Sequence, residues 1–358
     1  MSTSRHHFLL LLCTVTVGLL VPTASLAARS TGALMTFGTI KTAGAHATTP
    51  RAQARAVAGV PWPGNPFSPT SFWNSPLAAN APLSPSSGQY VDELLRQVHD
   101  YHPWMNTTSY SVPVYVVPRN QPTQHVTLDT WGPDLQQAFD QVPIPSHARP
   151  AGGTDQSMTV WQPSTNRLWD FWILHRANGG WHARWGGEID NVSTNPGYFT
   201  HSAQTNNWGA TATGLPLLGG LVTFADLKRG YINHALSIAI VETQWAKFTW
   251  PAQRTDGSSF TPGIWAIPEG MRFRLDPHLN VARLHLPLID RMLARAAQRY
   301  GIVVRDKAGA VVFYGQDPVT QSNNPWPAAF GYQYPNNVLD EFPWSHLEAL
   351  QTQMQCCW

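Results

Sequence analysis

Three strand-length runs between residues 157 and 187 restrict this chain more than anything else in it. They read SMTVWQ, RLWDFWILH and WHARWGG, separated by PSTN and RANGG. Aromatic and β-branched runs punctuated by Pro, Asn and Gly form an antiparallel meander. Side chains alternate along a strand, so Leu168, Asp170, Trp172 and Leu174 share one face. Trp169, Phe171, Ile173 and His175 share the other. Both faces are largely apolar, the pattern of an inner sheet covered on two sides.

Composition supports a turned β-structure. There are 16 Trp and 30 Pro, and charged residues make up only 12% of the chain, about half the usual share. Lys plus Arg against Asp plus Glu is 23 against 21. That balance leaves no electrostatic footprint for nucleic acid or for an anionic membrane. The expected fold is therefore mainly β: a single-domain antiparallel β-sandwich over 61–358, jelly-roll-like, with three or four peripheral helices.

Other segments fill in this outline. Tyr90, Val91, Leu94, Leu95, Val98 and Tyr101 recur at helical spacing, with Ser87 as N-cap. An edge strand over 109–117, broken by Pro113, and a short strand over 125–131 follow. Thr223 with Asp226 reads as a capping-box start, and Gly230 as the left-handed end of that short helix. Residues 231–242 read as a long strand that lines up Ile232, His234, Leu236, Ile238 and Ile240. An amphipathic helix is expected over 287–300, a hairpin of 302–306 with 311–314 around KAGA, and a last helix over 345–353.

The N-terminus has the grammar of an export signal. Arg5, His6 and His7 precede an apolar run over 8–21, and Ser25, Leu26 and Ala27 supply small residues for cleavage. The run is shorter than the ~20 residues that span a bilayer. Residues 1–27 are thus read as a signal peptide and 28–60, rich in Ala, Thr, Gly and Ser, as a disordered linker. Cys13 falls in the signal, and Cys356 and Cys357 are adjacent near the C-terminus, so no disulfide framework is expected. The expectation is a secreted monomer.

Chemistry must come from few acids. Asp155 and Asp170 sit in apolar company, where burial disfavours the ionised carboxylate. Glu188 and Asp190 share a strand face, which resembles the first half of the Glu-x-Asp-x-x-Glu strand of laminarinase-type glycosidases. Ser193 stands where that pattern has its second Glu, and a retaining mechanism needs two carboxyl groups. His234 is either a hydrogen-bonded core histidine or a general base, with Asn233 beside it and Arg272 or Arg274 to neutralise a uronate. Trp172 and Trp185 offer flat faces for sugar rings. The candidates are thus Asp155, Asp170, Glu188 and His234 for catalysis, and Trp172, Trp185, Asn233, Arg272 and Arg274 for substrate. No HExxH or two-His-carboxylate spacing occurs, so no metal and no cofactor are expected.

The runs GLPLLGGLVTFADLKRGYINHAL, WPA, IPEGMRFRLDP and RYGIVVRD resemble a family of secreted bacterial and fungal proteins. Its pattern runs Gly-Leu-Pro, Gly-x-Ile-x-His-Ala-Leu, Gly-x-Arg-x-Arg-Leu and Tyr-Gly followed by Asp. Asp226 and Asp155 fall on its acidic positions. The resemblance implies export and polysaccharide-related biology, and assigns no catalytic residue. Two functions fit: an extracellular enzyme cleaving a polysaccharide by hydrolysis or elimination, or a non-catalytic protein that binds a carbohydrate or cell-wall glycan. A buried acid or imidazole lining the same groove as the Trp residues favours the enzyme.

Overall fold

The computed structural model describes residues 62–200, 208–260 and 265–356. The expected signal peptide, the whole of the expected linker and Cys357 lie outside the described residues. In chain order the elements begin with α1 (Ser87–Tyr101), β1 (Pro103–Asn106), β2 (Val114–Val116) and β3 (Val126–Leu128). Next come α2 (Pro133–Ala138), β4 (Met158–Gln162), β5 (Arg167–Ala177), β6 (Gly180–Ile189) and α3 (Phe224–Arg229). They continue with β7 (Leu236–Ile240), β8 (Thr243–Thr249), β9 (Ile267–Glu269), β10 (Arg272–Leu275) and α4 (Leu288–Arg299). The chain closes with β11 (Ile302–Lys307), β12 (Val311–Tyr314), α5 (Trp326–Ala329), β13 (Leu347–Ala349) and β14 (Met354–Cys356).

The meander forms as its sequence dictates: β4, β5 and β6 pair antiparallel, with Asn178 and Gly179 at positive φ in the tight turn. Short β2 and β3 add to its two edges, each parallel to its neighbour, giving the order β2-β4-β5-β6-β3. A six-stranded sheet runs β1-β12-β7-β11-β10-β13, and a three-stranded one β14-β8-β9. The molecule is mainly β, as expected, but all three sheets are mixed, so the purely antiparallel arrangement is corrected.

The six-stranded sheet divides two cores. Leu236, Ile238 and Ile240 of β7 join Val91 and Leu94 of α1 and Ile289 and Leu293 of α4. Ala239, Val303, Val312 and Tyr314 instead join Met158, Val160, Trp169 and Phe171 of the five-stranded sheet. Strand alternation thus places helices on one face of this sheet and a second sheet on the other. The described residues all belong to one compact unit, 55–358.

Three local expectations are corrected. The strand over 231–242 begins only at Leu236, because residues 233–235 are held by the N-terminal arm: Ala235 N donates to Trp73 O at 2.7 Å and Asn65 Nδ2 to Asn233 O at 3.1 Å. His234 therefore sits outside β7. The hairpin around KAGA does not form either, since β7 lies between its arms, parallel to β11 and antiparallel to β12. β7 is buried along its whole length, and two ladders satisfy its backbone groups better than one. The C-terminal helix is replaced by β13, whose Leu347 and Ala349 are buried while Glu348 between them pairs with Arg274. The capping box at Thr223–Asp226 and the left-handed Gly230 are present as read, as is α4, one residue inside each expected bound.

Candidate functional site

A cavity of about 860 Å³ opens between the five-stranded and six-stranded sheets, within the size range of small-molecule sites. From the meander, Trp172 and Trp185 stand directly opposite one another on β5 and β6, and both line it. Beside them the backbone departs from the ladder. Ile173 has φ of 50° and its N–H donates to Asp155 O at 2.6 Å, drawing residue 155 onto the strand. Asp155 Oδ1 then accepts from Trp172 Nε1 at 3.4 Å, so this acid and this indole share the cavity wall.

The roof is a loop over 208–217 that lies on the sheet. It approaches closely because Gly187 of β6 has no side chain: a Cβ there would stand 2.5 Å from Phe199 and 2.9 Å from Gly209 N. Gly209 N donates to Gly186 O at 2.8 Å. Arg254, which also lines the cavity, binds the loop through the carbonyls of Trp208, Gly209, Thr211 and Ala212, at 2.7–3.1 Å.

The six-stranded sheet contributes Arg305, Asp306 and Lys307 from the end of β11, Tyr314 from β12, and Trp104 and Asn106 from β1. Asp306 is half-buried and accepts through Oδ1 from Lys307 N at 3.0 Å and Ala212 N at 3.2 Å. Burial raises its pKa to about 7, against the Arg305 guanidinium, which lowers it, and with Asp256, which adds to the rise. Such a carboxyl exchanges protons near neutral pH. Arg305 is wholly buried; its Nη1 donates to Leu217 O at 2.7 Å and Gly219 O at 3.1 Å, and its plane covers the Tyr314 ring at 4.1 Å. Burial holds the Tyr314 hydroxyl above the usual tyrosine range.

Of the residues expected from sequence, Asp155, Trp172 and Trp185 are brought together here. Asp170 is fully buried behind the wall: Thr159 Oγ1 donates to it at 2.5 Å and Leu217 N at 2.7 Å, and burial raises its pKa to about 6. It fixes the loop that lines the cavity. Glu188 is away from the cavity, in an ion pair with Arg167; burial raises its pKa to about 7 against that pairing. Arg272 donates to Phe72 O and Tyr300 O, and Arg274 to Glu348 and Ala79 O, so both are spent inside the fold.

His234 and Asn233 belong to a separate network around Asp226. A cavity of only about 10 Å³ borders His234 and Asp226, room for at most one water. His234 Nδ1 lies 2.8 Å from Ala235 O, and Nε2 lies 3.3 Å from Asp226 Oδ2. Both ring nitrogens face acceptors, so both carry protons. Burial opposes that charge, but Asp226 outweighs it and raises the His234 pKa. Arg229 also binds Asp226 and donates to Asn233 Oδ1 at 3.0 Å.

Sequence reading missed Arg305, Asp306 and Tyr314 as site residues. The signal for the first two was present: a charged pair closing the apolar run IVVRD. Among the described residues no group of three or more His, Cys, Asp or Glu is arranged to hold a metal, and no helix is long and apolar enough to cross a membrane. Compared with protein-family models, with curated proteins and with solved structures, the chain matches none.

Proposed function

We propose that this protein is an exported enzyme that cleaves a polysaccharide by acid–base chemistry in the cavity between its two larger sheets. One observation carries the reading: Asp306, with a pKa raised to about 7 by burial, lines the same cavity as Trp172 and Trp185. The paired indoles supply apolar platforms for sugar rings. Asp306 can give a proton to a leaving oxygen, or take one from a ring carbon, near neutral pH. Asp155, beside Trp172, and Asp256 are the other carboxyl groups that line the cavity. Export through the signal over 1–27 belongs to the same proposal, and N-terminal sequencing of the secreted protein checks it, with a start at Ala28 expected.

The test is incubation with a polysaccharide panel, reading reducing ends and unsaturated-uronate absorbance together. Asp306→Asn keeps the Oδ1 acceptor for Ala212 and Lys307 but cannot shuttle a proton. It should lower turnover by about 10²–10⁴-fold with the melting temperature nearly unchanged. Glycan binding without any turnover by the unmodified protein would leave the alternative, a non-catalytic carbohydrate-binding protein. Turnover that survives Asp306→Asn would remove Asp306 from the mechanism.

A further inference from the structure

Two further aromatic rings stay open to solvent on the cavity wall. Trp104 is 40% exposed and Tyr110 42%, and both line the cavity. Strand alternation explains where Trp104 points. Met105 of β1 is sealed in the core on the helix side of its sheet, so Trp104 and Asn106 face the cavity. Tyr110 is held in place from two directions: its N–H donates to Gly152 O at 2.8 Å, and Asn106 Nδ2 donates to its carbonyl at 3.3 Å. These bonds keep it at a φ of 53°, a left-handed backbone that is costly for a bulky residue. Its ring rests on Gly153, where a Cβ would stand 2.8 Å from Tyr110 Cζ.

The register of the six-stranded sheet places Trp104 relative to Asp306. Asp306 of β11 pairs with Ala239 of β7, Ala239 with Val312 of β12, and Val312 with Trp104 of β1. From β11 to β1 the row crosses three strand spacings, about 14 Å. Only Ala239 and Val312 stand between its ends, and the β11–β12 turn supplies Ala308, Gly309 and Ala310 to the same cavity. Small side chains thus leave a smooth floor from the acid to the indole. A pyranose unit in an extended glycan advances by about one strand spacing.

We infer that Trp104 and Tyr110 form a distal sugar subsite, filled by the sugar about three places from the bond cut beside Asp306, so that the substrate is a long glycan chain rather than a disaccharide. The subsite rests on the glycan reading of the cavity and adds chain length to it. Trp172 and Trp185 serve sugars on the meander wall, while Trp104 with Tyr110 takes the chain at the β1 edge of the other sheet. Both rings are solvent-accessible, so removing either one trims the wall and leaves the core packing in place.

The experiment is calorimetric titration of the full chain carrying Asp306→Asn, so that the probes stay intact, with ladders of cello-, xylo- and galacturono-oligosaccharides from disaccharide to hexasaccharide. In at least one ladder the hexasaccharide should bind on the order of 10-fold more tightly than the disaccharide, the gain for an aromatic platform. Trp104→Ala and Tyr110→Ala should each remove most of that gain. Tyr231→Ala, at a ring that is 53% exposed and does not line the cavity, should leave it. Equal binding of short and long members would overturn the distal subsite while the glycan reading stands. A gain that survives both Trp104→Ala and Tyr110→Ala would overturn the assignment to these rings, as would one lost in Tyr231→Ala. Binding of no member of any ladder would overturn both this inference and the glycan reading.

Discussion

At the scale of single residues, buried acids in this protein do different work according to what surrounds them. Asp226 is opposed by burial, but His234 and Thr223 outweigh that and hold its pKa below the usual carboxylate value. Its stabilising contribution is present above an unfolded pKa of about 3.9 and is lost as pH falls through the lower folded value. For His234 the sign is reversed. Its pKa is raised, so its contribution is full below about 6.5 and is lost as pH rises through the folded value. His234→Ala should therefore destabilise by about 1–3 kcal/mol, with activity loss tracking the folded fraction, read by melting curves beside turnover. Asp290, in the first turn of α4, contrasts with Asp226: both its oxygens are buried without a partner, and burial, with Glu341 and Asp340 nearby, raises its pKa to about 8. The native state keeps this proton while the unfolded chain releases it near pH 4, so stability falls as pH rises between about 4 and 8. Asp290→Asn should flatten the decline of melting temperature over that window. An unchanged slope would mean that other groups set it.

At the scale of elements, β6 shows how a strand pattern can serve a neighbour rather than itself. Gly186 and Gly187 weaken the strand intrinsically, since glycine loses the most backbone entropy on ordering. A Cβ on Gly187 would meet Phe199 and Gly209 N of the overlying loop, and one on Gly186 would meet Asp170 O of β5 and Phe139. Gly186→Ala must push its Cβ against Asp170 O and Phe139. It should cost about 1–3 kcal/mol and weaken glycan binding along with stability, measured by denaturation and fluorescence titration. β5 carries the complementary device. Positive φ at Ile173 sends its N–H out to Asp155, which is how an acid from a preceding loop reaches the Trp172 wall. A regular strand would have left Asp155 without that anchor.

At the scale of the whole molecule, residues of the two larger sheets line the cavity, and the 208–217 loop bridges them through Gly209 N to Gly186 O and Ala212 N to Asp306. Arg254 clamps one stretch of the bridge, against the carbonyls of Trp208, Gly209, Thr211 and Ala212. Arg254→Ala should speed hydrogen exchange at Gly209, whose N–H bonds to Gly186 O, and leave the amides of β7 and β11 protected, because local opening follows local contacts. Exchange that quickens equally in both regions would show that Arg254 supports the entire fold rather than the bridge.

The meander, α1, α4 and the α3 capping box were legible in the chain because each is set by local rules: side-chain periodicity, turn residues and a cap three residues from its partner. Asp155, Trp172 and Trp185, which line the cavity, stood out as candidates for a related reason, since scarce acids and abundant indoles in strand context are conspicuous. What only the tertiary structure decided were the partnerships across sequence distance. No local pattern says that β7 pairs with both β11 and β12, since a strand buried on both faces has two backbone edges that the sequence does not tell apart. Nor does sequence tell which distant carbonyls an arginine will meet. Arg272 donates to Phe72 O and Tyr300 O, while Arg305 donates to Leu217 O and Gly219 O behind the cavity. Electrostatic roles depend on burial and on partners brought from far along the chain. For that reason Asp306 and Arg305 emerge only where two sheets close around them.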